Sequence, residues 1–494
     1  MSALNRIEAE HIQRLQPHEL VTLLRILLHA EAKQRRAAAI VHVPLQINVP
    51  DDGEDARWVG DVLADEFIPD KFTLYQSKAE DLGPGDCKSA VAVNGHLTPA
   101  LNEVLSANGC YVFFCGHPYV QKLLARRIKA VADAIAGTGR QLTRNDQIRF
   151  LDGNKIAAWT NRHVSAIAHV CECCQLRQNV SFRTWKDWKR DRVCHSPPVF
   201  QSNEQLQTFI ASARKHLLVP GNIARITGLS GLGKTRLAFE VLSPSIDATE
   251  VTQASLSDTA VYLNMEYSSA SVLDIIGQFE AAGLSGTVVV DNCPREQHIA
   301  LEQILRRDGC KLSLLTLDYV PERTCSGILH VNLLPEMTRD VVLGILKQLP
   351  QARPLTEAQL TYIASFAHGF PQIAVLMAEA GDALDLARLD QHLIPQRILW
   401  GRDAPNDRAK QILWALSLFT HVGFDGEPKV QKEFVLTELC GSLQLNERDF
   451  DRLLQPFFER RILQRAGDYA MLTPPPLAVA LAADWWGWRT PINS

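Results

Sequence analysis

Hydrophobic and polar positions along the first 170 residues alternate between patterns typical of helices and patterns typical of strands. After Pro17, leucines recur at the three- and four-residue spacing of an amphipathic helix. The run Cys110–Gly116 (CYVFFCG) predicts a short buried strand, and Tyr119–Ala136 (YVQKLLARRIKAVADAIA) predicts a helix with one apolar side. These segments together predict a domain of mixed α/β class.

The stretch Phe72–Asp81 (FTLYQSKAED) predicts a strand with an unusual end. Because side chains alternate between the two faces of a strand, Gln76 and Lys78 lie on the same face. A half-buried strand therefore ends by presenting an amide and an ammonium group side by side. One interpretation is a strand that simply extends into solvent. The other is that the two side chains form half of a metal-dependent phosphodiesterase site, which also needs an acidic group nearby.

Composition and charge narrow the class of protein. At about 150 residues per domain, the chain of 494 residues should hold about three domains. The net charge of −4 argues against a protein that coats nucleic acid, so any contact with nucleic acid should be local. Neither a membrane span nor a secretory leader is predicted, and the 11 irregularly spaced cysteines suit reduced thiols. We therefore expect a cytoplasmic protein without a membrane partner.

An acidic candidate precedes the unusual strand, in the segment Val49–Gly60 (VPDDGEDARWVG). A glycine turn is followed there by Asp55, which begins the next strand of a hairpin leading to Gln76 and Lys78. Metal-dependent DNA cleavage needs oxygen ligands that hold Mg²⁺ and a cation that stabilises the developing negative charge. Asp55 and Gln76 are the candidate metal ligands, Lys78 is the candidate cation, and Glu19 on the first helix is the candidate that completes the site.

At these residues the chain resembles the PD-(D/E)xK nuclease superfamily, and within it the Mrr-like group. The resemblance implies a restriction-endonuclease-like fold in which Asp55 binds the metal, Gln76 replaces the usual acid and Lys78 is the catalytic lysine. The segment HELVTLL resembles the family's first helix, whose additional glutamate is Glu19 here. The turn departs from the family's usual glycine-rich form, so Asp52 is a rival metal ligand.

Basic residues cluster on the predicted amphipathic helix that follows CYVFFCG. A cluster of this kind forms either a local phosphate-binding face or a solvated side of the helix, and the sequence leaves both interpretations open. The residues are Lys122, Arg126, Arg127 and Lys129.

Four sulfur-bearing residues invite a zinc interpretation: Cys171, Cys173, Cys174 and Cys194. Structural zinc sites favour two pairs of cysteines with two to four residues between the members of a pair. The first cluster here is C-x-C-C instead, so the sequence does not lead us to predict zinc.

The most specific motif lies in Ile226–Leu242 (ITGLSGLGKTRLAFEVL), where Gly228–Thr235 fits G-x-x-x-x-G-K-[ST] between a predicted strand and a helix. Backbone amides of such a loop cradle phosphates, and the helix N-terminus adds its dipole. Lys234 is expected to reach the β- and γ-phosphates and Thr235 to ligate Mg²⁺. Further strand-like runs alternate with helices and predict a parallel sheet, one strand of which ends in Asp291 beside the Mg²⁺.

Downstream, Ala367–Ala380 (AHGFPQIAVLMAEA) resembles the G-x-P motif of STAND NTPases, whose proline-bearing turn closes over the nucleotide. Later segments resemble the family's winged-helix domain, with a wing hairpin that turns at Gly467. The motifs and the resemblance together imply bound ATP and Mg²⁺, with Thr235 and Asp291 as metal ligands. The nucleotide-binding residues implied are Gly228, Ser230, Gly231, Gly233, Lys234, Thr235, Arg236, Asp291 and Pro371.

The two halves together resemble an antiviral STAND NTPase of the Avs type. The resemblance implies a nuclease effector that cleaves double-stranded DNA once the ATP-bound protein assembles into a homo-oligomer, expected to be a tetramer. A phage protein would be the trigger if a sensor region follows Ser494. Two alternatives stay open: a STAND transcription regulator with a DNA-binding winged helix and a non-catalytic N-terminal domain, and a stand-alone restriction endonuclease with an unusual ATPase.

The same reasoning divides the chain into five parts. These are a nuclease effector domain (1–170), a linker (171–198), a P-loop nucleotide-binding domain (199–345), a helical domain (346–395) and a winged-helix domain (396–494). The residue after Asp291 is Asn292, an amide that can orient water but cannot take its proton, so we expect slow ATP turnover.

Overall fold

The structure is a computed structural model, and the residues that it describes fall into thirteen ranges. These are 6–43, 54–61, 65–176, 182–192, 200–243, 255–265, 271–318, 328–353, 355–379, 394–400, 404–460, 462–466 and 468–489. Asp52, Cys194 and Gly467 lie outside them. Within these ranges, helices combine with a five-stranded and a six-stranded sheet, both containing parallel strands, so the predicted α/β class is confirmed.

The N-terminal sheet is mixed, with strands in the spatial order β1-β2-β3-β6-β7. The β1–β2 and β2–β3 pairs are antiparallel, whereas the β3–β6 and β6–β7 pairs are parallel. Parallel neighbours need a crossover connection, and helices supply it on both occasions. The strands are β1 (Ala39–His42), β2 (Ala56–Gly60), β3 (Phe72–Lys78), β6 (Cys110–Cys115) and β7 (Ile148–Leu151), with a small hairpin of β4 (Ala92–Val93) and β5 (His96–Leu97) beside them.

Helices cover both faces of this sheet because its strands alternate their apolar side chains. Tyr75 packs in one core cluster with leucines of the first long helix, such as Leu24. Its neighbour Leu74 points to the opposite face and packs with Phe113 and Val131. The helices are α1 (Ala9–Gln13), α2 (Pro17–Arg35), α3 (Pro84–Val91), α4 (Pro99–Ser106), α5 (Gln121–Gly137), α6 (Gly153–Thr160) and α7 (Val164–Cys173).

The second sheet has the order β13-β9-β12-β11-β10-β8. All its pairs are parallel except the edge pair of β8 with β10. Strand β12 therefore separates β9, which leads into the glycine-rich loop, from β11, which ends in Asp291. The strands are β8 (Arg183–Thr184), β9 (Ile223–Gly228), β10 (Ala260–Asn264), β11 (Gly286–Asp291), β12 (Leu312–Leu317) and β13 (Leu329–Leu333).

The segment expected to be a linker contributes to this second sheet. Strand β8 extends it at one edge, and the following helix, α8 (Trp185–Arg192), brings two indole rings against the ring of Phe239, at 4.8 and 5.4 Å between centroids. The two tryptophans, Trp185 and Trp188, are three residues apart and therefore lie on the same side of α8, where aromatic packing holds them. The other helices around this sheet are α9 (Glu204–Leu217), α10 (Lys234–Leu242), α11 (Leu256–Thr259), α12 (Val272–Ala281) and α13 (Arg295–Leu305).

Helix α2 connects the N-terminal sheet to the second sheet by polar contacts as well as by packing. Residues spaced by four lie on one stripe of a helix. On this stripe Arg25 Nε donates to Asp258 Oδ1 at 3.1 Å, and His29 Nδ1 accepts from the backbone N–H of Ser255 at 3.2 Å. Since one apolar cluster also contains residues of both sheets, the two units form a continuous packed structure.

Further along the same stripe, the buried Lys33 reaches the first residues of two parallel strands. Its Nζ donates to the carbonyl oxygen of Gly286 at 2.9 Å and to Ser313 Oγ at 2.8 Å. Nearby, His163 Nδ1 lies 2.6 Å from Ser285 Oγ. Side chains of the N-terminal unit therefore hold the second sheet at the N-terminal ends of strands β11 and β12.

The C-terminal region begins with helices and ends with helices around a small three-stranded sheet of order β14-β16-β15. Strands β15 and β16 pair as the hairpin predicted around residue 467. No helix among the described residues is long and apolar enough to cross a membrane. The elements are α14 (Pro335–Gln348), α15 (Glu357–Phe366), α16 (Pro371–Glu379), α17 (Ile394–Trp400), α18 (Asp407–Ser417), β14 (Val422–Gly423), α19 (Val430–Phe434) with a π-helical continuation (Val435–Leu439), α20 (Glu447–Glu459), β15 (Leu463–Ala466), β16 (Tyr469–Leu472) and α21 (Pro475–Arg489).

Candidate functional sites

The glycine-rich loop between β9 and α10 has a backbone that requires glycine. Gly228, Gly231 and Gly233 have φ angles of 135°, 89° and 89°. A Cβ on Gly228 would also lie 2.5 Å from the carbonyl oxygen of Leu333. Such a turn aims its backbone N–H groups into a concave surface at the N-terminus of α10, which is a binding site for phosphate.

Lys234 is the first residue of α10 and lies in this concave surface. Its Nζ donates to the carbonyl oxygen of Leu229 at 3.0 Å. Burial lowers the pKa of Lys234 to about 8, although the carboxylates of Asp291 and Asp318 act in the opposite direction. A phosphate group beside this nitrogen would supply the negative charge that favours the ammonium form.

Asp291 meets the loop from the end of β11. Its Oδ2 accepts hydrogen bonds from Thr235 Oγ1 at 3.3 Å and from the Tyr262 hydroxyl at 2.8 Å. Its Oδ1 accepts from the backbone N–H of Asn292 at 3.0 Å. A hydroxyl next to a carboxylate supplies the hard oxygen donors that Mg²⁺ prefers, so Thr235 and Asp291 fit a magnesium ion beside a bound nucleotide.

Two other parts of the chain lie against the loop. The backbone N–H of Gln372 donates to the carbonyl oxygen of Gly231 at 3.3 Å, and Gln372 follows Pro371 at the start of α16. From the C-terminal hairpin, Gln464 Oε1 accepts from Ser230 Oγ at 3.0 Å. The structure thus places the start of α16, at Pro371, against the loop, together with a hairpin that the sequence did not place there and that contacts Ser230 of the loop.

Arg236, the other residue that we expected to bind nucleotide, makes its described contacts elsewhere. Its guanidinium carbon lies 5.7 Å from the ring centroid of Phe200 and 5.6 Å from that of Phe239. Burial lowers its pKa, and Glu240, whose carboxylate is 3.8 Å away, opposes that shift. The stacking positions this cation beside aromatic rings on α10 and in the segment before α9.

Asp55, Gln76 and Lys78 come together at one end of the N-terminal sheet. The last ladder pair of β2 and β3 at this end is Ala56 with Tyr75, and Asp55 precedes Ala56. The Asp55 backbone N–H donates to the Tyr75 carbonyl at 2.9 Å, and the Ser77 N–H donates to Asp55 Oδ2 at 2.8 Å. These contacts hold the Asp55 carboxylate beside the end of β3, where Gln76 and Lys78 lie two residues apart on one face.

Gln76 is buried, and its Oε1 has no hydrogen-bond partner among the described residues. A buried amide oxygen costs free energy unless a hydrogen-bond donor or a cation binds it, and a metal ion is one such partner. Lys78 is half-buried at the strand end, opposite Cys115 of β6. The described part of the chain contains no group of three or more His, Cys, Asp or Glu residues that could hold a metal, so the site offers one carboxylate and one amide.

Glu19 is near the N-terminus of α2, where its side chain caps the helix and its backbone contacts α7. Its Oε2 accepts from the Gln16 backbone N–H at 2.8 Å, which caps the first turn. Its carbonyl oxygen accepts from His169 Nε2 at 3.0 Å. None of the hydrogen bonds that the structure describes for Glu19 reaches Asp55 or Lys78.

The basic residues of α5 divide into two groups. Arg127 is buried, with its guanidinium carbon 3.9 Å from the Tyr119 ring centroid, and it donates to Asp81 Oδ1 at 3.1 Å. The phosphate-binding interpretation therefore does not fit Arg127, because packing against α3 and the preceding loop takes the charge out of solvent. The other three cations are exposed: Lys122, Arg126 and Lys129.

The cysteines near residue 171 form no disulfide among the described residues. Cys171 and Cys174 are buried, and burial raises the pKa of the Cys173 thiol to about 12. Zinc binds thiolates, and these groups form no metal-binding cluster in the described ranges.

Comparison with known proteins adds likenesses of fold. No protein-family model and no curated protein matches the chain. One similar solved structure is a Signal Transduction ATPase with Numerous Domains (STAND) protein with a tetratricopeptide repeat sensor from Pyrococcus horikoshii. It has 12% identity and a TM-score of 0.31, over 60% of this chain and 47% of that one. This chain thus spans about half the length of that protein.

Two further likenesses are to a Walker-type ATPase of Pyrococcus abyssi and to NtrX from Brucella abortus in complex with ATP. The first has 11% identity and a TM-score of 0.25, over 58% of this chain and 98% of that one. The second has 12% identity and a TM-score of 0.26, over 72% and 86%. These likenesses are weak, and what defines a P-loop nucleotide-binding fold here is the chain's own strand order, glycine loop, Lys234 and Asp291.

Proposed function

We propose that the chain is an ATP-switched STAND-type NTPase that controls a Mg²⁺-dependent endonuclease in its N-terminal unit. Its substrate is double-stranded DNA, and its role, by the resemblance to Avs-type proteins, is antiviral defence. The observation that carries the nuclease part is the buried Oε1 of Gln76, which has no hydrogen-bond partner among the described residues, with Lys78 on the same face and the Asp55 carboxylate at the same end of the strand. The topology of three antiparallel strands followed by parallel strands after helices suits the same assignment.

Each residue of the strand-end site has a role in this proposal. The Asp55 carboxylate, held by the Ser77 N–H, and the Gln76 amide oxygen bind the metal ion. The metal, when bound, polarises the scissile phosphate and lowers the pKa of an attacking water. The Lys78 ammonium stabilises the negative charge that develops on the phosphate. Exposed Lys122 and Arg126 on α5 bind the DNA backbone away from the cleaved bond.

The nucleotide acts as a switch in this proposal. Gln464 of the β15–β16 hairpin and Gln372 of α16 both contact the glycine-rich loop, so they stabilise a closed arrangement. A ligand changes such an equilibrium only by binding one arrangement more tightly than the other. ATP favours an open, assembling form because its γ-phosphate reaches Lys234, whereas ADP lacks that group. The order helix-strand-helix-helix-strand-strand from α18 to β16 suits a winged helix that packs on the nucleotide domain.

The second candidate function is that of a DNA-binding regulator, and the charge of α20 argues against it. This helix occupies the position at which winged-helix proteins read the major groove. It carries four acidic residues and two arginines: Glu447, Asp449, Asp451, Glu459, Arg448 and Arg452. A surface with more acids than bases repels a phosphate backbone.

The test uses the full chain with ATP, plasmid DNA and Mg²⁺, followed by gel analysis, and it includes Mn²⁺ binding measured by electron paramagnetic resonance without nucleotide. Lys78→Ala should abolish cleavage but keep Mn²⁺ binding, because the lysine is not a ligand. Asp55→Ala should lose both. Neither substitution should change ATP affinity, since the two sites lie on different sheets.

The control is Lys71→Ala, which removes a lysine at the opposite end of the same strand and should leave cleavage intact. Cutting by Lys78→Ala at the wild-type rate would remove the nuclease assignment. Equal Mn²⁺ binding by the wild type and by Asp55→Ala would also remove the nuclease assignment. Loss of ATP affinity in Lys78→Ala would mean that the division into two sites is mistaken.

A further inference from the structure

Tyr262 makes the shorter of two hydroxyl contacts to Asp291. It lies on β10, directly beside β11, and is buried there. Its hydroxyl donates to Asp291 Oδ2 at 2.8 Å, whereas Thr235 Oγ1 donates to the same oxygen at 3.3 Å. With the Asn292 N–H on Oδ1 at 3.0 Å, both oxygens of the carboxylate are held. A carboxylate whose two oxygens are both hydrogen-bonded has one orientation relative to the glycine-rich loop.

The ring of Tyr262 is itself held in place. Trp188 of α8 stacks on it, with 4.5 Å between ring centroids and 13° between planes. The edge of Trp188 in turn meets Phe239 of α10, with centroids 5.4 Å apart at 66°. Stacked aromatic rings in a packed interior have few alternative rotamers, so the hydroxyl stays pointed at Asp291.

We propose that Tyr262 is a positioning residue of the nucleotide site, which holds the Asp291 carboxylate in the orientation that accepts a divalent cation beside the nucleotide. This inference rests on the proposed binding of ATP and Mg²⁺. If Thr235 gave an oxygen lone pair to the cation, its hydroxyl hydrogen would stay on Asp291 Oδ2, but the position of that hydroxyl would then follow the position of the cation. Tyr262 is then the hydroxyl that keeps the carboxylate from rotating.

Tyr262→Phe tests this role, because it removes the hydroxyl and keeps the ring that stacks on Trp188. Binding of a fluorescent ATP analogue to the full chain would be titrated across Mg²⁺ concentrations. We expect the Mg²⁺ concentration at half-maximal enhancement to rise about fivefold, equivalent to roughly 1 kcal/mol. Affinity for the analogue in excess EDTA should not change.

The matched control is Tyr75→Phe, since the buried Tyr75 hydroxyl also donates one hydrogen bond at 2.8 Å, to the Phe67 carbonyl, but in the N-terminal unit. Its Mg²⁺ dependence should equal that of the wild type. If Tyr262→Phe lowers the melting temperature but keeps the wild-type Mg²⁺ dependence, Tyr262 is a structural residue only and the inference is wrong. If the wild type itself shows no Mg²⁺-dependent binding, the proposed function fails instead, and that result is visible before any variant is made.

Discussion

Replacing Lys33 by methionine should change how folding stability depends on pH. Lys33 is buried between the two sheets, and burial lowers its pKa from 10.5 to about 7, with the Cys310 thiol acting weakly in the opposite direction. Its two acceptors, the carbonyl oxygen of Gly286 and Ser313 Oγ, match the two N–H groups of a neutral amine. The folded chain therefore holds this side chain uncharged above neutral pH.

The sign of the effect follows from proton binding. Below pH 7 the amine is protonated in both the folded and the unfolded chain, so the charged group is buried at a cost. Between pH 7 and pH 10.5 the unfolded chain binds this proton and the folded chain does not, so stability rises with pH. One pKa unit corresponds to about 1.4 kcal/mol, and integration over the interval from pH 7 to pH 9 gives roughly 2 kcal/mol.

The assay is urea unfolding at several pH values between 7 and 9, with wild type and Lys33→Met compared at each pH. Taking the difference between the two proteins removes the contributions of thiols and other groups that titrate in both. The free energy of unfolding of the wild type minus that of the variant should grow by about 2 kcal/mol across this range. Arg25→Met is the control, because it removes a permanent charge from the same stripe of α2 and its effect should be the same at every pH. A constant difference for Lys33→Met would refute the burial of an uncharged amine.

Two other substitutions test the packing and the nucleotide site. Gly286→Ala should lower the free energy of unfolding by about 1–3 kcal/mol in urea titrations, because the new Cβ would lie 2.3 Å from Val164 Cγ2. Lys234→Ala should weaken ATP binding by roughly 10- to 100-fold in calorimetry and should abolish ATP-dependent assembly in size-exclusion chromatography. It should leave the melting temperature of the nucleotide-free protein unchanged or higher, since a buried amine is removed. Full ATP affinity in Lys234→Ala would contradict the placement of the phosphates.

Local motifs were predictable because neighbours in sequence determine them. The conformation at Gly228 and Gly231 follows from a contiguous loop motif, and the common face of Gln76 and Lys78 follows from strand alternation alone. The position of Asp55 beside the end of β3 needed only an antiparallel pair of strands that are close in the chain. In each of these cases, residues that are close in the sequence determine the local structure.

Contacts between distant parts of the chain were not predictable from such patterns. Arg126 and Arg127 are both arginines of α5. Only the contacts with Asp81 and Tyr119, which the fold brings close, make Arg127 structural. A tyrosine in an otherwise apolar strand does signal that a hydrogen-bond partner is required. It does not signal that the partner of Tyr262 is Asp291, because that depends on the strand order of the sheet.

The placement of the two sites limits how a nucleotide could control the proposed nuclease. Strand β11 begins at Gly286, where Lys33 of the N-terminal unit binds, and ends at Asp291, where the metal would bind. The two ends of this six-residue strand are five steps of about 3.3 Å apart, and β11 lies between two parallel neighbours that make it stiff. Displacement at the nucleotide end is therefore expected to move the strand as a unit. In the proposed function, control of cleavage is then expected to come from how whole chains are arranged relative to one another and to DNA, which is what ATP-dependent assembly would change.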